Sequence, residues 1–158
     1  MPDQNDVANV KYLQSAVMLN VLEFDRALKL IEEAEEIYAV IHGENGLEIP
    51  DFYDRHGEIY ERIGKIASVE GDAEKAAENF RNAEKQYQKA FKNRDAGYKD
   101  KSIYMNFSLH HLIGLYLFQN IKLDEVKEMI KREIRITKHA EGTGKLSDKR
   151  IRQEYSRI

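Results

Sequence analysis

Five histidines and no cysteine are the side chains here with the strongest claim to metal or nucleophilic chemistry. The missing cysteine removes disulfides, thiolate nucleophiles and cysteine-bearing zinc sites together. His110 and His111 form the most suggestive pair, but adjacent residues on a helix point about 100° apart and cannot chelate one ion between them. Neither Glu-x-x-His nor His-Glu-x-x-His occurs, so the spacings of a bundle di-iron site and of a zinc protease are both missing. Asp51, Asp54, Arg55 and Glu58 crowd the start of one helical run, where the helix dipole favours acidic groups without any metal. Gly142-Thr143-Gly144-Lys145 has the tail of a phosphate loop. The motif's first glycine would fall at His139, and the segment comes after a helix rather than a strand. The sequence thus nominates no catalytic residue, no metal site and no cofactor. The remaining question is what its helices present.

The helical pattern is densest at residues 57–90. Ile59, Tyr60, Ile63, Gly64, Ile66 and Ala67 keep the i, i+3, i+4, i+7 spacing of one helix face. Ala73, Ala76, Ala77, Phe80, Ala83, Tyr87 and Ala90 repeat it on a second run. Between them, Gly71 stands where a helix C-terminus takes a left-handed residue, and Asp72 stands as the N-cap of the second run. Glycine within a helix costs about 1 kcal/mol against alanine, so Gly64 implies close approach of a partner helix. The same spacing rule places helices near 5–22, 25–42, 51–70, 73–94, 99–121 and 123–140, with a short final one near 147–157. That final helix carries Ile151, Tyr155 and Ile158 on one side and is expected to seal a layer at Val126, Ile130 and Ile134.

Tyr60, Ile63, Gly64, Ala76, Phe80 and Ala83, with the turn at Gly71-Asp72, resemble the tetratricopeptide repeat (TPR) over residues 57–90. Ala67 departs from the family's larger residue, and Gln88 replaces the proline that often closes the unit. Weaker copies flank it. Ala27, Ile31 and Ala34 lie 49 residues before Ala76, Phe80 and Ala83, while Ile113-Gly114 lie 50 residues after Ile63-Gly64. The long period and the linker at 42–60 are similar to the long-repeat TPRs of kinesin light chains. The expected fold is all-α: a right-handed TPR-like solenoid of three hairpins (5–42, 51–94 and 99–140) plus the capping helix, all within one domain, 1–158.

Composition agrees with that class. A chain of 158 residues is one domain's worth. Prolines stand only at positions 2 and 50, outside the expected helical runs. No basic-apolar leader and no apolar run near ~18 residues is present, so a soluble, cytoplasmic protein without a membrane partner is expected. Net charge runs from −9 over residues 1–62 to +2 over 63–121 and +4 over 122–158. Only Lys149, Arg150 and Arg152 cluster, without interleaved aromatics, which argues against nucleic acid.

The resemblance implies that the first helix of each hairpin lines a concave groove. Its contact offsets fall on Glu58, Glu61, Lys65 and Ser68 in the middle unit, and on Ser108, His111, Leu115 and Phe118 in the third. The implied function is a non-catalytic adaptor or scaffold that binds a helical or extended peptide segment bearing apolar anchors. The alternative is a peptide-sensing regulatory module that changes oligomeric state on binding, and a homodimer is compatible with either.

Overall fold

A computed structural model of the chain describes residues 3–142. The expected capping helix at 147–157 lies outside that range. The described residues form six α-helices: α1 (Gln4–Asn20), α2 (Phe24–His42), α3 (Ile49–Val69), α4 (Ala73–Tyr98), α5 (Tyr104–Gln119) and α6 (Leu123–Gly142). A single 3₁₀ turn, Lys99–Lys101, separates α4 from α5. Two helix starts differ from expectation. Helix α3 takes in Pro50 within its first turn, where a missing amide has no intrahelical partner to lose. Helix α5 begins later than residue 99, because Ser102 is extended and its hydroxyl accepts from the Tyr104 amide.

Three helix pairs are closed by the same backbone device. In each, a left-handed residue ends the first helix: Leu22 at φ 63°, Gly71 at φ 81° and Asn120 at φ 55°. The next amide then donates back to a carbonyl five residues earlier: Glu23 to Met18 at 2.8 Å, Asp72 to Ala67 at 2.9 Å, and Ile121 to Tyr116 at 3.0 Å. These turns recur every 49 residues. The Asp72 carboxylate also accepts from the Lys75 amide at 3.0 Å, satisfying one of the orphan donors of α4. Leu22 adopts the left-handed conformation with a Cβ, at a cost of about 1–2 kcal/mol. It is an exposed side chain with little burial to lose. Leu22→Gly is therefore expected to raise stability by about 1 kcal/mol, read as a shift in the urea midpoint with an unchanged slope.

Contacts divide the chain into two compact units, the first ending at Asn93 and the second beginning at Arg94, inside α4. The first unit has a core of Ala8, Leu19, Ala27, Ile31, Ala34, Tyr38, Ile49, Phe52 and Ile59, drawn from α1, α2 and α3. Phe52 is gripped by Tyr12, edge-on at 5.2 Å, and by Tyr38 at 5.0 Å. Helices α3 and α4 meet where side chains are smallest. A Cβ on Gly57 would stand 2.5 Å from the Tyr87 ring, and one on Gly64 would stand 2.8 Å from Phe80. Ala76, Ala83 and Ala90 are buried along α4 on the same side.

In the second unit α5 and α6 pack through Met105, Leu109, Leu112, Ile113, Tyr116, Val126, Ile136 and Ala140. Polar groups fix the register of this pair. Buried Asn106 donates to Thr137 Oγ1 at 3.0 Å and to the Glu133 carbonyl, and Thr137 donates to that same carbonyl. Arg132 bridges Asp95 at 2.5 Å and Asp100 at 2.7 Å, tying α6 to the end of α4 and to the 3₁₀ turn. Buried Arg94 donates to Ser108 Oγ at 2.8 Å with its guanidinium over the Phe107 ring. Half-burial holds the Glu133 carboxyl above the usual carboxylate range.

Candidate functional site

In the first unit, α3 places Glu58, Glu61, Lys65 and Ser68 on one side at i, i+3, i+7 and i+10, as their spacing requires. The charges there are engaged by their own helix. Lys65 pairs with Glu61 at 3.2 Å, and Arg55 pairs with Glu58 at 3.4 Å. Ser68 is exposed at the end of the row. At the other end of the row, beside Gly57, lies the buried Tyr87 phenol, pushed above its ordinary value first by burial and then by the charges of Glu61, Glu58 and Asp54. This side of α3 is a polar surface with partly compensated charge and no large apolar anchor.

The second unit corrects the expectation for Ser108 and Leu115. Both are fully buried: Ser108 holds Arg94, and Leu115 belongs to the packed side of α5. His111 is half-buried and Phe118 is about half exposed. The cause is a register shifted by one residue. Pairing Gly114 with Gly64 implied a spacing of 50, whereas the turns recur at 49. At 49 the agreement is close: Asp54, His56, Gly57, Ile59, Gly64 and Ala67 are buried in α3, and so are Ile103, Met105, Asn106, Ser108, Ile113 and Tyr116 in α5 and its cap. Ile113 is thus the counterpart of Gly64. Among the described residues, no neighbouring atom lies within 4 Å of a Cβ built on Gly114.

The α5 positions equivalent to Glu58, Glu61, Lys65 and Ser68 are therefore Phe107, His110, Gly114 and Leu117. Phe107 and His110 are half-buried, Gly114 is open, and Leu117 is about half exposed. Tyr104 continues the row toward the N-terminus of α5 and touches Phe107, with ring centroids 5.9 Å apart. Phe118 adjoins Leu117. The outer side of α5 is thus apolar and aromatic, with a glycine gap at its centre. A signal for the correct register was present in Asn120, because asparagine is the residue after glycine best suited to a left-handed helix end.

Sequence reasoning also missed His56. Its Nδ1 lies 2.8 Å from Glu35 Oε1, its Nε2 lies 3.7 Å from Glu32 Oε1, and its ring stacks on Tyr60 at 5.1 Å. Burial, then Glu32 and Glu35, push the Tyr60 phenol up. The imidazole is almost wholly buried, so the group acts as a polar clasp between α2 and α3. Among the described residues no cluster of three or more histidine, aspartate or glutamate side chains is placed to hold a metal ion. The described residues of the first unit include open concavities. One, of about 410 Å³, is lined by Asn5, Asn9, Tyr38, His42, Leu47 and Glu48, with His42 Nε2 2.6 Å from Asn5 Oδ1. Another, of about 390 Å³, lies between α1 and α2. No described helix is long and apolar enough to cross a membrane.

The chain is similar to the crystal structure of BtubC (BKLC) from P. vanneervenii, with a TM-score of 0.67 and 17% sequence identity. The match covers 86% of this chain and 48% of that one, so the chain spans about half the length of the structure it resembles. Comparison with protein-family models and with curated proteins gave no match. At this identity the likeness speaks to architecture alone: the chain has an all-α, TPR-like helical fold.

Proposed function

We propose that the chain is a non-catalytic protein-interaction module of the adaptor or scaffold kind, and that the outer side of α5 takes a peptide segment. The observation that carries this reading is the exposed row Tyr104, Leu117 and Phe118 beside the open Gly114. Apolar side chains supply the anchors' pockets, and a helix backbone bared at glycine admits a ligand chain at close range. A partner segment with two apolar anchors at helical or extended spacing fits that surface. The α3 row, whose charges already pair within the helix, contributes less.

The test is selection of binding peptides from a displayed random library, with fluorescence anisotropy on the winners. Leu117→Glu combined with Phe118→Glu is expected to weaken binding by about 2 kcal/mol, roughly thirtyfold in Kd, with helix content unchanged by circular dichroism. Glu61→Lys is expected to change binding by less than roughly threefold. The reading fails if no peptide is enriched, or if enriched peptides ignore the α5 double variant.

A further inference from the structure

Helix α1 has two apolar sides. Ala8, Ser15 and Leu19 are buried against the first unit's core, while Val10, Leu13, Val17 and Val21 form a second stripe at i, i+3, i+7 and i+11, each 50–62% exposed. The 49-residue period says what that stripe is. Val10 is the counterpart of Ile59 in α3 and Ser108 in α5, and Val17 is the counterpart of Ile66 and Leu115. Ile59, Ser108 and Leu115 are fully buried, and Ile66 is partly so. Ile59 owes its burial to the preceding helix pair, since it belongs to one cluster with α1 and α2 residues. Val10 and Val17 therefore stand where a hairpin stacks on the one before it, while Leu13 and Val21, at the offsets of exposed Arg62 and Glu70, widen the apolar stripe; among the described residues nothing covers it.

The border of the stripe gives the chemistry of what fits it. Around α1 the stripe runs into Gln14 and Met18, which form one wall of the concavity between α1 and α2. The facing wall carries Arg26 and Lys29, both exposed, and Glu33, whose carboxylate is paired with Lys11 at 2.5 Å, over an apolar floor of Met18 and Leu30. From residue 12 to residue 22 α1 and its turn carry no charge, so the cationic edge lies on one flank only. Elsewhere in this unit, the helix that plays the covering role, α2 against α3, also offers a carboxylate edge through Glu32 and Glu35 to His56.

We propose that the α1 stripe and the Arg26–Lys29 edge form a docking site for an amphipathic helix of a partner protein, apolar on one face and acidic along one border. Its apolar face covers Val10, Leu13, Val17 and Val21, and its acidic border lies over Arg26 and Lys29. This surface is separate from the α5 row, so the two readings stand or fall independently.

The probe is a designed helical peptide of about 20 residues with leucines at i, i+4, i+7 and i+11 and glutamates along one border, compared with a twin carrying lysines on that border. Fluorescence anisotropy is expected to show the acidic-bordered peptide binding at least about tenfold tighter than its twin. Arg26→Glu with Lys29→Glu should reverse that preference, and Leu13→Glu with Val17→Glu should abolish binding of both. All four substituted positions are exposed, and thermal melts confirm that the variants fold. All these measurements are made in the Leu117→Glu, Phe118→Glu background, which removes the exposed α5 row as a competing site for a leucine-faced helix. Equal binding of the two peptides, or binding untouched by both double variants, overturns the proposal. So does a wild-type dimer in sedimentation that Leu13→Glu converts to monomer, because a second copy would then occupy the stripe.

Discussion

Tyr87→Ala is expected to lower stability in urea unfolding by about 3–5 kcal/mol. Tyr87 has no solvent-accessible surface, and its ring fills the space above Gly57 on α3. Removing the ring deletes the burial of a large aromatic side chain and leaves a void between two helices that cannot close. The geometry also predicts a rescue. Gly57→Leu in the native background forces a side chain into ring atoms 2.5–3.1 Å from its Cβ, an overpacking cost of about 1–3 kcal/mol. In the Tyr87→Ala background the same leucine enters the vacated space. A double-mutant cycle should therefore show a favourable coupling of about 1–3 kcal/mol between the two positions. Strict additivity would mean that Gly57 and Tyr87 do not share one packing site.

The second large effect is a change of sign between two glycines that look alike in sequence. Gly64→Ala meets the Phe80 ring at 2.8 Å, and Phe80 is itself buried. The gain in helix propensity, about 1 kcal/mol, is outweighed by overpacking, so a net loss of about 1–2 kcal/mol is expected. Gly114→Ala meets open space within α5, so only the propensity gain remains and stability should rise by about 1 kcal/mol. Both values come from denaturant midpoints at constant slope. If Gly114→Ala destabilised as Gly64→Ala does, the 49-residue register of α5 would be wrong, and Ser108 and Leu115 would return to the exposed side.

That pair of glycines also marks where the sequence ceases to be legible. Helices α2, α3, α4 and α6 mix charged and apolar residues at helical spacing, so each announces which side it buries. Helix α5, YMNFSLHHLIGLYLFQ, has no lysine, arginine, aspartate or glutamate. Apolar residues all round give periodicity no face to choose, and the landmark that remains is a glycine. Matching that glycine to Gly64 turns the assigned row by one residue, about 100° around the helix.

The six described helices, apart from the starts of α3 and α5, the Gly71-Asp72 turn and the close approach at Gly64 are set by the amino-acid sequence alone. Each depends on groups within a few residues of one another: apolar spacing, a left-handed glycine, a capping aspartate, a missing side chain. Three things are decided only by tertiary structure. Ser108 and Leu115 are buried because the turn at Asn120 sets the register of α5. His56 clasps Glu35 because α2 and α3 pack side by side, bringing together residues 21 apart in the chain. The stripe at Val10, Leu13, Val17 and Val21 is exposed because no described helix packs over it, although Val10 and Val17 stand at offsets whose counterparts Ile59 and Leu115 are buried in later helices. Hydrophobicity specifies that a side chain is worth burying, and only the packed fold specifies whether a partner is there to bury it.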